Sequence, residues 1–329
     1  MRLRRAWGAG VPVGAVLAAA APALGADVVR LGDVTTLSNG ALYLAIEKGY
    51  MKEQGIDIVA ETFSGAAKMT SALASGELDV GTGTASAGLF NALSQGSDIK
   101  VVADKGQVRP QYTYLKLLAR KDLVESGQIK SFKDFKGRKI ASLAKGNVQD
   151  YQIGKVLEHE GLAFKDVEIV YLTAPQTIQA LAARAVDGAN MVEPWVSRAM
   201  GENLAAPVED FENIPTLRQH QVAVILYAGK FIRERRPVAQ RFMNAYVKGI
   251  EYITRHGWGD DEVVEAIAKH IKVERSHVRR AAPAYIAPDG RPDVASTIRF
   301  QDRLHEQGMV SKKVPMEQVV DLSFLPPPR

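Results

Sequence analysis

Residues 73–86 read LASGELDVGTGTAS, and residues 181–194 read LAARAVDGANMVEP. Superposed at an offset of 108, both run Leu-Ala, three residues, an apolar residue, Asp, then small and apolar residues into a loop. Leu73, Ala74, Leu78 and Asp79 fall on Leu181, Ala182, Val186 and Asp187. Each copy reads as a helix end, a tight turn at Gly76-Glu77 or Arg184-Ala185, a short buried strand, and an exposed loop at that strand's C-terminal end. In open α/β sheets ligands sit at that end. Two copies in two half-chains predict two α/β lobes presenting strand ends to one shared cleft. Asp79 and Asp187 sit at turns where Asp supports backbone hydrogen bonds, so both read as structural.

The flanking sequence extends this plan. Residues 28–34 alternate as a strand and residues 35–40 form a polar, turn-forming loop. Leu42, Ala45, Ile46, Gly49 and Tyr50 give residues 41–54 helical spacing, closed by Gly55. A strand over 56–63, a helix over 68–75, the first copy, a helix over 87–94 and a buried strand over 99–104 follow. The order βαβαβαβ predicts a parallel sheet with helices on its faces. Residues 112–119 are an apolar strand, 121–130 a charged loop, and Ser131 to Asp134 a capping box. A strand over 138–142, a helix over 149–160, a strand over 168–172 and a helix from Pro175 to Arg184 predict a second βαβαβ lobe. Residues 222–227 are a strand with no helix of its own. A chain leaving the first lobe at Leu117 and returning at Ile225 makes two crossing strands, which is a hinge. Helices are expected over 237–256, 261–271, 274–285 and 292–307, and an unstructured tail from Pro326.

The 329-residue length suits two domains, and 46% hydrophobic with 24% charged residues is ordinary for a globular protein. Residues 1–26 stand apart. Arg2, Arg4 and Arg5 precede an apolar, Ala-rich stretch over 11–23 that ends in the small residues Gly25 and Ala26. This is the pattern of a cleavable export signal, too short for a transmembrane helix. The expected organisation is a signal over 1–26, a discontinuous first lobe over 27–116 plus 226–329, and a second lobe over 117–225. Without the three signal arginines, 39 basic residues face 37 acidic ones. That balance calls for neither nucleic acid nor a membrane surface as partner. The absence of Cys leaves an exported chain to rely on its core, and leaves no lipid attachment point after the apolar stretch. A free periplasmic monomer is expected.

Catalytic signatures are missing. His159, His220, His256, His270, His277 and His305 show no paired metal spacing, and no Gly-x-Ser-x-Gly elbow occurs. Gly81, Gly83 and Gly88 approach a dinucleotide fingerprint, but Ser86 occupies its third position and the segment is not the first βα turn. Neither metal nor cofactor is expected.

Several stretches together resemble a known family: AIEKGYMKEQGI at 45–56, LDVG at 78–81, FKDFKGRKIA at 132–141, VDGA at 186–189 and EPW at 193–195. Their order and spacing are similar to those of solute-binding proteins of ABC importers of the nitrate/sulfonate/taurine type, the NMT1/THI5-like group. The resemblance covers roughly residues 28–230. It implies the type II periplasmic-binding-protein fold, two α/β lobes joined by two crossing strands and closing on a ligand by hinge motion. It implies capture of a small organic anion, a sulfonate, taurine or an aromatic carboxylate, and delivery to a permease and its ATPase. Two other readings follow from relatives of the group. One is binding of a pyrimidine precursor of thiamin. The other is an enzyme that makes such a precursor, which is linked with an active-site His and a Cys-rich segment that this chain lacks.

Five loops, residues 35–39, 64–66, 83–86, 145–147 and 193–195, are expected at the cleft. Several begin helices, whose free N–H groups and partial positive charge suit an anion. Thr36, Ser38, Asn39, Ser64, Gly65, Thr84, Ala85, Gly146 and Asn147 are the candidates there. The Ser, Thr and Asn side chains serve equally well as plain N-caps. Arg109 and Lys145 are the nearest cations in sequence, and each is either an anion clasp or a solvated charge. Glu193 either accepts bonds from a ligand amine or hydroxyl, or holds its loop, or bridges the lobes. Trp195 and Tyr151 either stack on an apolar part of the ligand or belong to the core.

Overall fold

The structure, a computed structural model, describes residues 25–63 and 66–327. Most of the expected export signal, and the candidates Ser64 and Gly65, lie outside the described residues. The strands in chain order are β1 (Asp27–Asp33), β2 (Ile56–Thr62), β3 (Val80–Gly83), β4 (Ile99–Val108), β5 (Leu115–Arg120), β6 (Lys139–Ser142), β7 (Glu168–Tyr171), β8 (Gly188–Val192), β9 (Ala205–Pro207) and β10 (His220–Ala228). They form two five-stranded sheets, ordered β2-β1-β3-β10-β4 and β7-β6-β8-β5-β9. In the first, β1 runs parallel to β2 and β3; in the second, β6 runs parallel to β7 and β8. The fourth place is antiparallel in both, filled by β10 in one and β5 in the other. The first sheet is therefore mixed and not wholly parallel as its βα order predicts. Strand β10 arrives from the other lobe and is free to enter in the opposite direction.

The chain passes between sheets through residues 109–114 and returns through 208–219. Leu117 accordingly lies inside the second sheet and Ile225 inside the first. The fold is two α/β lobes joined by two crossings.

The repeated stretch has one geometry in both places. Gly76 and Arg184 take the left-handed turn conformation, with φ of 77° and 58°. The Asp79 carboxylate accepts the Arg30 backbone N–H at 2.9 Å, and the Asp187 carboxylate accepts that of Lys139 at 3.0 Å. In return Asp79 N–H donates to Arg30 O at 2.9 Å and Asp187 N–H to Lys139 O at 2.8 Å. Each Asp thus starts the pairing of two parallel strands. Leu73, Leu78, Leu181 and Val186 fill the core beneath.

Local differences have local causes. Gly49, at φ 76°, divides the first expected helix into Gly40–Glu47 and Tyr50–Glu53. The charged segment after β5 begins with a helix, Lys121–Glu125, which buries Leu123. The helix expected over 274–285 closes at Arg280, and the next described helix is Val294–Glu306. Helix Gly229–His256 bends at Arg235, two residues before Pro237, whose ring obstructs the preceding turn. It presses on helix Gly40–Glu47 so closely that a Cβ on Gly249 would lie 2.1 Å from the Ala41 carbonyl oxygen.

Candidate ligand site

The cleft between the lobes has two connected compartments. The outer one, about 380 Å³, is walled by Val34, Phe63, Leu143, Leu172, Met191 and Trp195. The inner one, about 60 Å³, is lined by Thr36, Ser38, Thr84, Lys105, Tyr114 and Asn147. Val34, Thr36, Leu143, Gln149 and Val192 border both, so one site has a polar end and an apolar body.

Lys105 defines the polar end. It lies in the middle of β4, only 2% exposed, where the sequence predicts that strand to have ended. Its ammonium donates to Ser38 Oγ at 3.0 Å and reaches Thr36 Oγ1 at 3.4 Å. Among the described residues no carboxylate forms an ion pair with it. Asp33 accepts instead from Asn39 Nδ2 at 2.6 Å, the Tyr43 hydroxyl at 2.8 Å and Thr82 Oγ1 at 3.2 Å. Asp104 is held by Gly106 N–H, Gln107, Gln221 and Ala287 N–H at 2.7–3.0 Å. Burial pushes Lys105 down to about 7 and Asp104 up to about 6, since each charged form loses its water. Burial also raises Asp33, against the pull of its donors and of Lys105.

The second lobe supplies apolar cover and amides. Asn190 Nδ2 donates to Gln152 Oε1 at 2.9 Å. Gln152 Nε2 lies 2.9 Å from His220 Nε2, and His220 Nδ1 lies 2.9 Å from Leu217 O. The carbonyl fixes the proton on Nδ1, so Nε2 accepts from Gln152. Burial lowers His220 to about 4, in keeping with a neutral ring. The chain of bonds links the cleft to the returning crossing. Asn190 Oδ1 and the Tyr114 hydroxyl, both buried at the cleft walls, make no hydrogen bond among the described residues.

Of the residues expected from sequence, Thr36, Ser38, Thr84, Asn147 and Trp195 line the cleft. Asn147 also caps helix Val148–His159 by accepting from Asp150 N–H at 3.0 Å, and Ser86 caps helix Ala87–Ser94 by accepting from Leu89 N–H at 3.2 Å. The others lie away from it. Asn39 is turned inward to Asp33 and Tyr43. Ala85 is buried behind its loop. Arg109 points out of the cleft, donating to Gln107 Oε1 at 2.6 Å and lying over the Tyr285 ring. Lys145 is exposed and outside the lining. Tyr151 packs edge-on against Phe300.

Gly146 and Glu193 bridge the lobes. The Ala87 N–H donates to Gly146 O at 3.0 Å, and the Leu37 N–H to Glu193 O at 3.1 Å. The Glu193 carboxylate, 2% exposed, accepts Ser197 N–H at 2.9 Å, Ser197 Oγ at 3.0 Å and Ala282 N–H at 3.1 Å. Burial raises it to about 7 against those donors. Every oxygen is engaged, so Glu193 holds its loop and ties it to the first lobe's C-terminal segment. Lys105, Gln149 and Asn190 escaped the sequence reading. The one available signal was a charged pair, Asp104-Lys105, inside an apolar strand.

Two α/β lobes with the same sheet plan, two crossings and a cleft of ligand size define a solute-binding fold of the periplasmic type. The chain belongs to the family described as NMT1/THI5 like, which matches residues 38–257. A relative in Escherichia coli named as an aliphatic sulfonates-binding protein is 25% identical over 267 residues, covering 78% of this chain and 76% of that protein. The fold is shared with the alkanesulfonate-binding protein SsuA from Xanthomonas axonopodis pv. citri bound to MOPS, at TM-score 0.71 and 21% identity over 91% of this chain and 99% of the other. It is shared too with the desulfurization enzyme DSZB, at TM-score 0.65 and 18% identity over 91% and 97%.

Proposed function

We propose that the chain is the periplasmic solute-binding component of an ABC importer, exported by its N-terminal signal, which captures a small organic anion and hands it to a permease. The anionic group enters the inner compartment at Lys105, Ser38 and Thr36, and the organic body fills the outer one. The observation that carries this reading is a buried lysine at the cleft floor whose hydrogen-bond partners, among the described residues, are hydroxyls. Asp33 and Asp104 act on it through their charge, but neither forms an ion pair with it among the described residues, which leaves its ammonium open to an anion in the inner compartment. An outer compartment of about 380 Å³ with apolar walls supports a sulfonate or carboxylate with a hydrocarbon or aromatic body over a bare nitrate. Bonds from Leu37 to Glu193 and from Ala87 to Gly146 support a closed state about the crossings. Binding without chemistry is supported by the named relative; the fold alone does not decide this, because a desulfurization enzyme shares it.

The test is calorimetric titration of the mature protein with taurine, alkanesulfonates, benzoate, phthalate, nitrate and an aminopyrimidine. One organic anion is expected to bind at micromolar Kd, to lose roughly a hundredfold in Lys105→Met and to be unchanged in Arg109→Ala. Binding of the pyrimidine alone, or no binding at all, overturns the reading.

A further inference from the structure

We propose that capture is proton-coupled: the free cleft holds Lys105 as a neutral amine at mildly alkaline pH, and the arriving anion draws one proton from bulk water onto its Nζ, so that anion and proton are taken up together.

The argument rests on the anion-capture reading and on the surroundings of Nζ. The groups around it come from several elements. From β1 comes Asp33, and from helix Gly40–Glu47 Tyr43, with the His270 ring stacked behind it at 4.4 Å. From the loop after β1 come Thr36 and Ser38; from β4 itself, Asp104; from the first crossing, Tyr114; from β3, Thr82, and from the loop after it, Thr84. Tyr43 and Tyr114 are raised well above their usual value by burial and stay neutral. Asp33 is surrounded by its own donors and Asp104 by four others. Among the described residues, what the amine hydrogen-bonds directly is two hydroxyls. A hydroxyl donates as readily as it accepts, so Ser38 and Thr36 satisfy a neutral amine as well as an ammonium. The site thus tolerates both protonation states; desolvation favours the neutral amine, the charges of Asp33 and Asp104 favour the ammonium, and the balance lies at about 7. An anion seated in the inner compartment reverses that preference, because its charge stands against Nζ in a medium from which water is excluded. Nitrogen gains the proton and no covalent bond to the ligand forms.

The sign follows. Below about pH 7 the free protein already carries the proton, and affinity is flat. Above it each unit of pH lowers affinity by up to tenfold, until the bound form itself deprotonates.

Two measurements test this. The first needs no ligand: carbon-13 NMR of lysine Cε across pH 5–11. One lysine is expected to titrate near 7, and its signal to be missing from Lys105→Met; a spectrum in which every lysine titrates near 10 overturns the proposal. The second uses whichever anion of the panel binds, titrated at pH 8 in two buffers of different ionisation enthalpy. Uptake of about 0.9 proton per anion at pH 8, falling to about 0.1 at pH 6, is the expected result. The same uptake is expected in Glu193→Gln, which removes the buried carboxyl that burial raises to about 7. Tight binding with no proton uptake overturns the coupling and leaves anion capture standing. Uptake abolished in Glu193→Gln overturns the assignment to Lys105. Failure of every anion to bind removes the capture reading and the coupling with it.

Discussion

In the first lobe the strand after the Asp79 turn leads to Thr84, and its neighbours bring Lys105, Ser38 and Thr36 to the cleft. In the second, the strand after the Asp187 turn brings Asn190, Met191 and Val192, and Leu143, Leu172 and Trp195 join them. The scaffolds match place for place and the faces do not. One lobe offers a charge and hydroxyls; the other offers apolar surface and amides. A duplicated backbone is therefore free to divide the work, with one half gripping an anionic group and the other covering the body behind it. Two buried groups held near 7 also differ in kind, a base, Lys105, on the first lobe and an acid, Glu193, on the second.

That last contrast carries the largest expected effect. Lys105 has a lower pKa folded than unfolded, about 7 against about 10.5. The folded state resists the proton, so wild-type stability falls as pH drops from about 10.5 to about 7 and levels off below. Lys105→Met escapes this, and its unfolding free energy is expected to exceed that of wild type by a margin that widens over the same interval, reaching several kcal/mol on the scale of about 1.4 kcal/mol per pKa unit, with Tm rising in step. Glu193 runs the other way. Its folded pKa of about 7 lies above the usual 4.5, so the folded state favours the proton. Wild-type stability relative to Glu193→Gln should fall as pH rises from about 4.5 to about 7. Thermal melts from pH 4 to 10 check both slopes; parallel curves for the two variants break the contrast.

The division of labour at the cleft predicts a smaller, selective effect. Met191→Ala removes apolar wall without touching the charged end. It is expected to weaken an organic anion by about tenfold, an order of magnitude less than Lys105→Met, and to leave nitrate affinity unaltered. Equal losses for both ligands in a titration would show that the second lobe also reads the charge.

The sequence made the scaffold legible and left the site partly hidden, for different physical reasons. The repeat around Asp79 and Asp187 was readable because its turn, its aspartate and its short buried strand all lie within a dozen residues; the bonds from those carboxylates to Arg30 and Lys139, 49 and 48 residues earlier, are not local and no spacing announces them. The loops were readable too, and Thr36, Ser38, Thr84, Asn147 and Trp195 do border the cleft. Lys105 was not, because exposure depends on which elements cover β4, and those are β10, the crossings and the distant helical segment. Arg109 shows the converse error. It is near the cleft in sequence, but Gln107 and the Tyr285 ring, 176 residues further on, turn it away. Glu193 looked like a ligand group because it follows a cleft strand; its oxygens were already claimed by Ser197 and Ala282, a pairing that no spacing announces.

The two turn aspartates differ in setting despite their shared role. The Asp79 side chain is 3% exposed and paired with Arg30 at 2.7 Å and Arg235 at 3.4 Å. Asp187 is 21% exposed, and its arginines, Arg120 and Arg138, stand at 3.6 and 3.9 Å. Replacing each by Asn keeps the side-chain carbonyl that accepts the next strand's N–H. Asp79→Asn is expected to cost about 2–3 kcal/mol in denaturant unfolding, because it strips a buried acceptor of charge beside two arginines, and Asp187→Asn about 1 kcal/mol. Equal costs would mean that the backbone bond, common to both, carries the energy.

The smallest effect lies in the turns before those aspartates. Gly76 and Arg184 adopt the same left-handed conformation, which a residue with a Cβ takes at a cost of roughly 1 kcal/mol. Gly76→Ala should therefore destabilise by about 1 kcal/mol; the only crowding at that position comes from Lys230 Cδ, 2.8 Å from the added carbon, at the end of a flexible side chain. Arg184→Gly should do the reverse. The Arg184 side chain is 72% exposed and its ion pair with Asp122, at 3.8 Å, is a solvated one that contributes little. Relief of the turn therefore outweighs loss of the pair, and the variant is expected to gain a few tenths of a kcal/mol, net of glycine's greater freedom in the unfolded chain. Opposite signs for the two substitutions in one set of unfolding curves would show that the copies share a backbone conformation and that only the first carries the residue best suited to it; a loss in both would place Arg184's value in its side chain.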